Sequence, residues 1–454
     1  MSDSEQAVVL IHLSDIHFNK AISGTAYDLD ENLRNELELD SVRMRDIAGQ
    51  AQGVLITGDV AFCGAAEEYR TALAWLADYC DKIGCPAERV WCTPGNHDVD
   101  REAIRASELA QNLRRELRPR QPSEVDPWIE KYSQDPHGAQ FLYGPIANYN
   151  QEFASKFACQ IDAVDPFWEN DLMLNDGSVL RLHGVNSTLV SDENENNADC
   201  KLVVGTAQGQ VIREDGVEYA ILCHHPPSWL LDQDQLTDCW NTPVGLQLFG
   251  HKHRERISQI DQSVVVAAGA AHPCRREQDW KPAYNVLRIW VAGESACRKL
   301  MAEVYPRVWN AAEGQFQADY DPRGSPVRSY ARPIGESRPS VAVSVSEAPI
   351  QVTAVSPASC VNEPPTGGNG SSPERTMDDA RTLTYRFLTL PFRKRMAASL
   401  GLELIEDGDG ALQDAELFKR VFRRARQRGQ LEGLWQKVAA AHGLSDEENP
   451  YVGS

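Results

Sequence analysis

Val8-Val9-Leu10-Ile11-His12-Leu13-Ser14-Asp15-Ile16-His17 is a short apolar run that ends abruptly in an aspartate and a histidine. Such a run reads as a buried strand, and the loop after it is where polar side chains gather at the strand's end. The same pattern recurs down the chain. Val54–Thr57 leads into Gly58-Asp59, and Val90–Thr93 into Gly95-Asn96-His97-Asp98. Tyr219–Cys223 closes on His224-His225-Pro226, and another apolar run ends in Gly250-His251-Lys252-His253. Val179–Val185 and Val264–Ala267 read as further buried strands. Between strands, Glu67–Ile83 repeats Leu73, Leu76, Ala77, Tyr79 and Cys80 at helical spacing. Alternating strands and helices predict an α/β layered architecture.

The five polar blocks share one chemistry. Carboxylate, imidazole and amide ligands without thiolates suit Mn²⁺, Fe²⁺ or Zn²⁺. Two such ions roughly 3.5–4 Å apart can clamp a phosphoryl oxygen and lower the pKa of a bridging water. A lone aspartate after a strand can be shared between them. Any one block arises by chance in a chain this long, and Asn96 or His97 alone could be an ordinary turn residue. All five in series make a metal site the better reading. His12 and His183 sit within apolar runs and read as core residues or as supports behind the ligands.

In this order the blocks resemble the calcineurin-like metallophosphoesterase superfamily, with its D-x-H, GD, GNH-[DE], H and GH-x-H pattern, over about residues 7–300. The resemblance implies a four-layer αββα sandwich with the metals at one edge. It implies that Asp15, His17 and His253 hold one metal, that Asn96, His224 and His251 hold a second, and that Asp59 bridges them. Manganese is the expected ion, with iron or zinc as alternatives. His224 is preferred to its neighbour His225. His97 is expected to protonate the leaving oxygen, with Asp98 orienting it.

Composition narrows the setting. The chain has 454 residues and 42% hydrophobic content, ample for one large domain and a smaller one. No apolar run approaches the roughly 18–20 residues needed to cross a bilayer. The acidic Met1-Ser2-Asp3-Ser4-Glu5 lacks the positive region of a signal peptide. The 11 cysteines form no C-x-x-C pair and read as reduced thiols, so a cytoplasmic protein is expected. A formal charge of −21 argues against a broad coat of nucleic acid. It leaves nucleic acid at a metal site open, because bound cations invert the local field.

The organisation predicted is a first domain over residues 1–310, a linker over 311–377 and a helical domain over 378–446. Within the first, residues 100–167 read as a helical insertion or cap, beginning with the charged run Glu102–Arg120. A cap would exclude water and shape the substrate pocket; a peripheral insertion is the alternative. Gly324–Arg375, rich in Pro, Ser, Gly and Val, reads as the linker. In the helical domain Leu417, Phe418, Val421, Phe422 and Ala425 make an apolar face, opposed by Lys419, Arg420, Arg423, Arg424, Arg426 and Arg428. A solvated surface and a nucleic-acid contact are both readings of that basic face. Ile405–Glu416 imitates a calcium loop but lacks the first oxygen ligand. The segment from Leu400-Gly401-Leu402 to Arg428-Gly429-Gln430-Leu431 and Leu434-Trp435 is similar to effector-associated and death-like adaptor domains of bacterial conflict systems. That resemblance implies a protein partner recruited through residues 378–446.

For the substrate, the GD-x-x-D-R-G and GNHE of protein phosphatases are absent. Gly58-Asp59-Val60-Ala61-Phe62-Cys63-Gly64 through Glu68-Tyr69 looks closer to phosphodiesterases. The expectation is metal-dependent hydrolysis of a phosphodiester in a nucleotide or nucleic acid. A phosphomonoesterase and a non-enzymatic metal-binding scaffold are the alternatives.

Overall fold

The computed structural model describes residues 6–193, 201–254, 256–273, 275, 280–294, 297–335, 373–390, 392–406, 409, 414–442 and 444. In chain order the first region runs β1 (Val8–Leu13), α1 (Glu31–Ala48), β2 (Gly53–Thr57), α2 (Ala66–Ile83) and β3 (Val90–Thr93). Four helices follow: α3 (Arg101–Arg105), α4 (Glu108–Leu117), α5 (Val125–Gln134) and α6 (Pro136–Tyr143). Then come β4 (Phe167–Met173), β5 (Val179–Val185), α7 (Thr206–Gly209), β6 (Val217–Cys223), α8 (Gln233–Trp240), β7 (Val244–Phe249), β8 (Arg256–Ile260) and β9 (Ser263–Ala267). Four more strands complete it: β10 (Ala283–Ala292), β11 (Lys299–Asn310), β12 (Gln315–Ala318) and β13 (Arg328–Pro333).

These strands form two mixed sheets. One is ordered β12-β11-β10-β1-β2-β3, with β13 also on β11; the other is β4-β5-β6-β7-β9-β8. Strands β1, β2 and β3 are parallel, as are β5, β6, β7 and β9. Their apolar residues merge into one core: β1, β2, β3 and β7 are buried at every position, as strands covered on both faces must be. Helices cover the outside. Tyr284 of β10 donates to Asp40 of α1 at 2.7 Å, and Trp240 of α8 packs on Phe249 of β7. The sandwich implied by the sequence is the observed fold.

Helix α2 illustrates the local logic. Tyr69, Ala72, Leu76, Tyr79, Cys80 and Ile83 fall on one buried face. The Glu68 carboxylate accepts from the Ala65 and Cys63 backbone amides at its start, and Gly84, at φ 68°, ends it in the left-handed region. The charged run after Asp98 is two helices rather than one. Ser107 breaks it and caps α4, accepting from Ala110 N. The insertion packs beside the sandwich: Arg118 pairs with Asp192, Arg114 donates to Ser191 O, and Asn148 donates to Gly64 O. Arg101 reaches the loop after β3, donating to Asn96 O at 3.5 Å.

The first domain extends past residue 310, because β12 and β13 pair along β11. Most of the expected linker, residues 336–372, lies outside the described residues. The second region, α9 (Pro373–Thr389), α10 (Phe392–Leu400), α11 (Asp414–Gln427) and α12 (Leu431–His442), has its own core around Phe387, Phe418, Val421, Leu434 and Trp435. The basic face of α11 is largely neutralised within the protein. Arg424 pairs with Asp409 and Glu406, Arg428 with Glu406, and Lys419 with Asp162 and Asp165. Arg423 and Arg426 stay exposed on the same face. Asp409, part of the calcium-like loop, is engaged by Arg424; residues 407–408 and 410–413 lie outside the described residues.

Arg381 joins the two regions. Only 7% exposed, it donates to the carbonyls of Glu88 and Val90 and to Asn170 Oδ1, and lies 4.7 Å from the centre of the Trp91 ring. It thereby bridges β3 and β4, the edge strands of the two sheets. Arg381→Ala strands those acceptors and is expected to weaken docking by about 3 kcal/mol. Hydrogen exchange should report lost protection in residues 381–390 with β1 unaffected; protection equal to the native chain would contradict this.

Candidate metal centre

Both sheets deliver ligands from the C-terminal ends of parallel strands, where open α/β sheets place their sites. The loops after β1, β2 and β3 carry Asp15 and His17, Asp59, and Asn96; those after β6 and β7 carry His224, His251 and His253. The loop after β1 is zipped onto the loop after β2: Asp15 N donates to Gly58 O, and the amides of Ile16 and His17 both donate to Asp59 O. This pairing holds an unusual backbone. Eight non-glycine residues among those described have positive φ, and five of them are Asp15, His17, Asp59, His251 and His253. Left-handed backbone costs roughly 1–2 kcal/mol per residue, so the site concentrates strain that its surroundings sustain.

All seven expected ligands meet. One ligand atom from each of Asp15, His17 and His253 lies within 4.8 Å of the others, and the same holds for Asp15, Asp59 and His224. His253 Nε2 stands 3.1 Å from Asp15 Oδ1. Asn96 Oδ1 stands 3.0 Å from His224 Nε2 and 3.1 Å from His251 Nδ1. His224 Nδ1 donates to Thr57 O at 2.7 Å, which turns Nε2 toward Asn96 and to 3.3 Å from Asp59 Oδ2. His225 is also buried and close: its Nδ1 is 2.8 Å from Ser187 Oγ, and its ring centre lies 4.4 Å from that of His251. Of the two neighbours, His224 is the one that faces Asp59.

The motif glycines have a steric reason. A Cβ on Gly95 would lie 2.1 Å from Asp59 Oδ1, and one on Gly250 would lie 2.0 Å from Ser14 Oγ. Ser14 Oγ itself is 2.6 Å from Asp15 Oδ2, and His272 Nδ1 donates to Ile16 O at 2.7 Å. Ser14, Thr57 and His272 are supports that the motifs do not announce. His12 is one too, with Nε2 3.0 Å from Thr57 Oγ1; His183 lies elsewhere, held by Glu169 and Gln208 O.

The expected contact between Asp98 and the His97 ring is replaced by another arrangement. The ring's Nδ1 donates to Phe62 O at 2.7 Å. The Asp98 carboxylate accepts from the amides of Val60, Ala61 and Gly95 and from the Tyr69 hydroxyl, so it shapes the loops rather than the ring. His97 N donates to Asp59 Oδ1 at 2.7 Å.

The donor set fits divalent cations. Burial, reinforced by His97, holds the His17 imidazole down to about 4; burial, reinforced by His224, holds His251 down to about 3. Both rings thus present neutral nitrogens. Burial opposes ionisation of Asp15, but His253 and His224 outweigh it and bring the carboxyl to about 2. Burial likewise opposes charging His224, yet Asp59 and Asp15 push it up to about 9. The buried carboxylates therefore demand a positive partner, the service a bound cation performs. His17 Nδ1 is buried without a hydrogen-bond partner.

The sequence profile described as calcineurin-like phosphoesterase matches residues 8–255. The chain belongs to the calcineurin-like phosphoesterase family. Phosphoester hydrolysis with divalent metals is the activity of that family, and the metal-ligand blocks of this calcineurin-like phosphoesterase lie within the matched segment. A second profile, the GTPase-associated adaptor domain, matches residues 379–440, the helical region whose adaptor character the sequence suggests. Similar solved structures include Vacuolar Protein Sorting 29 from Cryptosporidium parvum, at 12% identity over 72% of this chain and 99% of that one, TM-score 0.30. A predicted phosphoesterase from Streptococcus pneumoniae TIGR4 is 10% identical over 72% and 98%, TM-score 0.27. Purple acid phosphatase PPD1 from yellow lupin (Lupinus luteus) is 12% identical over 78% and 58%, TM-score 0.36. No curated protein sequence matches the chain. No helix among the described residues is long and apolar enough to cross a membrane.

Because Gly95 leaves the space that the Asp59 carboxylate fills, Gly95→Ala is expected to weaken Mn²⁺ binding by about 10–100-fold. Titration calorimetry on the folded variant checks this; native affinity would contradict the packing argument.

Proposed function

We propose that this phosphoesterase hydrolyses phosphodiesters at a dinuclear centre, with Asp15, His17 and His253 around one cation, Asn96, His224 and His251 around the other, and Asp59 between them. The observation that carries the reading is the meeting of Asp15, Asp59 and His224, all buried, with imidazoles on either side. Manganese suits this oxygen- and nitrogen-rich set, with iron and zinc as alternatives. Bound there, the cations supply Lewis acidity, a more acidic water and neutralisation of the charge that builds on the phosphoryl oxygens.

The chain's own residues do the rest. His97 has its Nδ1 proton fixed on Phe62 O, so Nε2 is the position from which a proton passes to the leaving oxygen. The His97 amide holds Asp59 Oδ1, coupling the acid's position to the shared ligand. Asp98 acts as a positioning residue, fixing the loops of Asp59 and Asn96 through three amides. A diester is favoured over a phosphoprotein because the segment from Asp59 to Gly64 lacks the acidic and arginine residues of protein phosphatases. A nucleotide or nucleic acid is the substrate class proposed, and the C-terminal adaptor is proposed to engage a protein partner.

Hydrolysis of bis-p-nitrophenyl phosphate by the Mn²⁺-loaded chain is expected to exceed that of p-nitrophenyl phosphate. His97→Ala should lower kcat by about 10²–10⁴-fold while metal content stays native. Activity confined to the monoester would make the protein a phosphomonoesterase. No turnover from metal-loaded protein would leave a scaffold.

A further inference from the structure

On the outer face of the second sheet lies an open groove of about 450 Å³. Strand alternation builds its floor: Phe249 of β7, Val265 and Ala267 of β9 and Ile260 of β8 all project to the same side. Its volume is in the range of small-molecule sites, and a largely apolar floor with a few polar groups is their usual composition.

The rim is cationic. Lys252, Arg254 and Arg256 line it, and no carboxylate does so among the described lining residues; Glu255 lies outside them. In a chain where Asp and Glu outnumber Lys and Arg by 66 to 45, such a cluster selects an anion. The apolar floor, open at Val265 and Ile260, suits a ligand that carries more than an inorganic anion. Asn241 and Gln247 line it as well, their amide nitrogens donating to Asp261 Oδ2 and Ser263 Oγ, which leaves their amide oxygens as the acceptors.

The groove also adjoins the metal centre. Lys252 lies between His251 and His253, and its ammonium donates to Ser228 Oγ at 3.1 Å on the groove side, while the two imidazoles stand against Asn96 and Asp15. Pro226, directly after His224-His225, lines the groove as well. The same two loops therefore carry ligands on one side and end the groove on the other.

We infer that this groove seats a nucleotide unit adjoining the scissile phosphate, with its own phosphate on Lys252 and Arg256 and its base against Val265 and Ile260. The inference rests on the phosphodiester reading and narrows it to substrates bearing a nucleotide beside the cleaved bond.

The test is equilibrium binding of N-methylanthraniloyl-AMP to the full metal-loaded chain, followed by fluorescence anisotropy and repeated in EDTA. Binding is expected to persist in EDTA and to be competed by AMP but not by equimolar inorganic phosphate. Arg256→Glu, at an exposed position on β8, should weaken it about tenfold or more. Ile260→Asp, at the exposed end of the floor, should weaken it too, and unchanged melting temperatures show that both variants fold. Absence of AMP binding, or binding that both variants retain, overturns the proposal. Binding of a poly-glutamate peptide with no response to AMP would assign the groove to a protein partner and overturn it equally. Failure of the native protein on bis-p-nitrophenyl phosphate would count against the diester reading alone, because anisotropy judges the groove without turnover.

Discussion

Two buried carboxylates, Asp15 and Asp59, lie side by side among imidazoles at the meeting edge of two sheets, and their demand for positive charge governs the arrangement around them. Placing such groups out of water is unfavourable unless cations or hydrogen bonds answer them. The protein answers with His224 and His253, and with backbone amides such as His97 N on Asp59 and His251 N on Asp15. It also holds five of the seven proposed ligands, Asp15, His17, Asp59, His251 and His253, on left-handed backbone. That combination of charge and strain serves no purpose in a hydrophobic core; it is what a cation-binding centre of a calcineurin-like phosphoesterase requires.

The fold supplies the rigidity. Parallel strands buried on both faces end at the same edge, so five separate loops start from fixed points. Glycines at 95 and 250 let those loops approach closely. On the opposite flank, Arg381 ties the adaptor to β3 and β4, the strands at the free edges of the two sheets. The adaptor is therefore packed on the phosphoesterase domain, and β3, which it grips, leads into Asn96 and His97.

Much of this was legible in the residues. The observed strands Val8–Leu13 and Val90–Thr93 coincide with apolar runs, because strands buried on both faces leave a nearly continuous hydrophobic signal, while Val179–Val185, half-buried at Val179 and Arg181, still shows through Leu180, Leu182 and Val185. The residues that meet at the site were readable because each follows such a run. The sheet beyond residue 310 was not, since Pro and Gly there suggest a linker. Pro306 is tolerated inside β11 because it falls between the stretches that pair with β13 and β12. The role of Asp98 was misjudged from adjacency. The ring of His97 is held by Phe62 O, and a carbonyl leaves no trace in sequence. Ser14 and His272 were hidden for a similar reason, as their value lies in contacts made only after folding.

Anomalous diffraction from crystals of the manganese-loaded protein tests the central claim most directly. The account predicts two peaks roughly 3.5–4 Å apart, with Asp59 between them, Asp15, His17 and His253 around one, and Asn96, His224 and His251 around the other. A single peak away from Asp59, or none in manganese-loaded crystals, would contradict it.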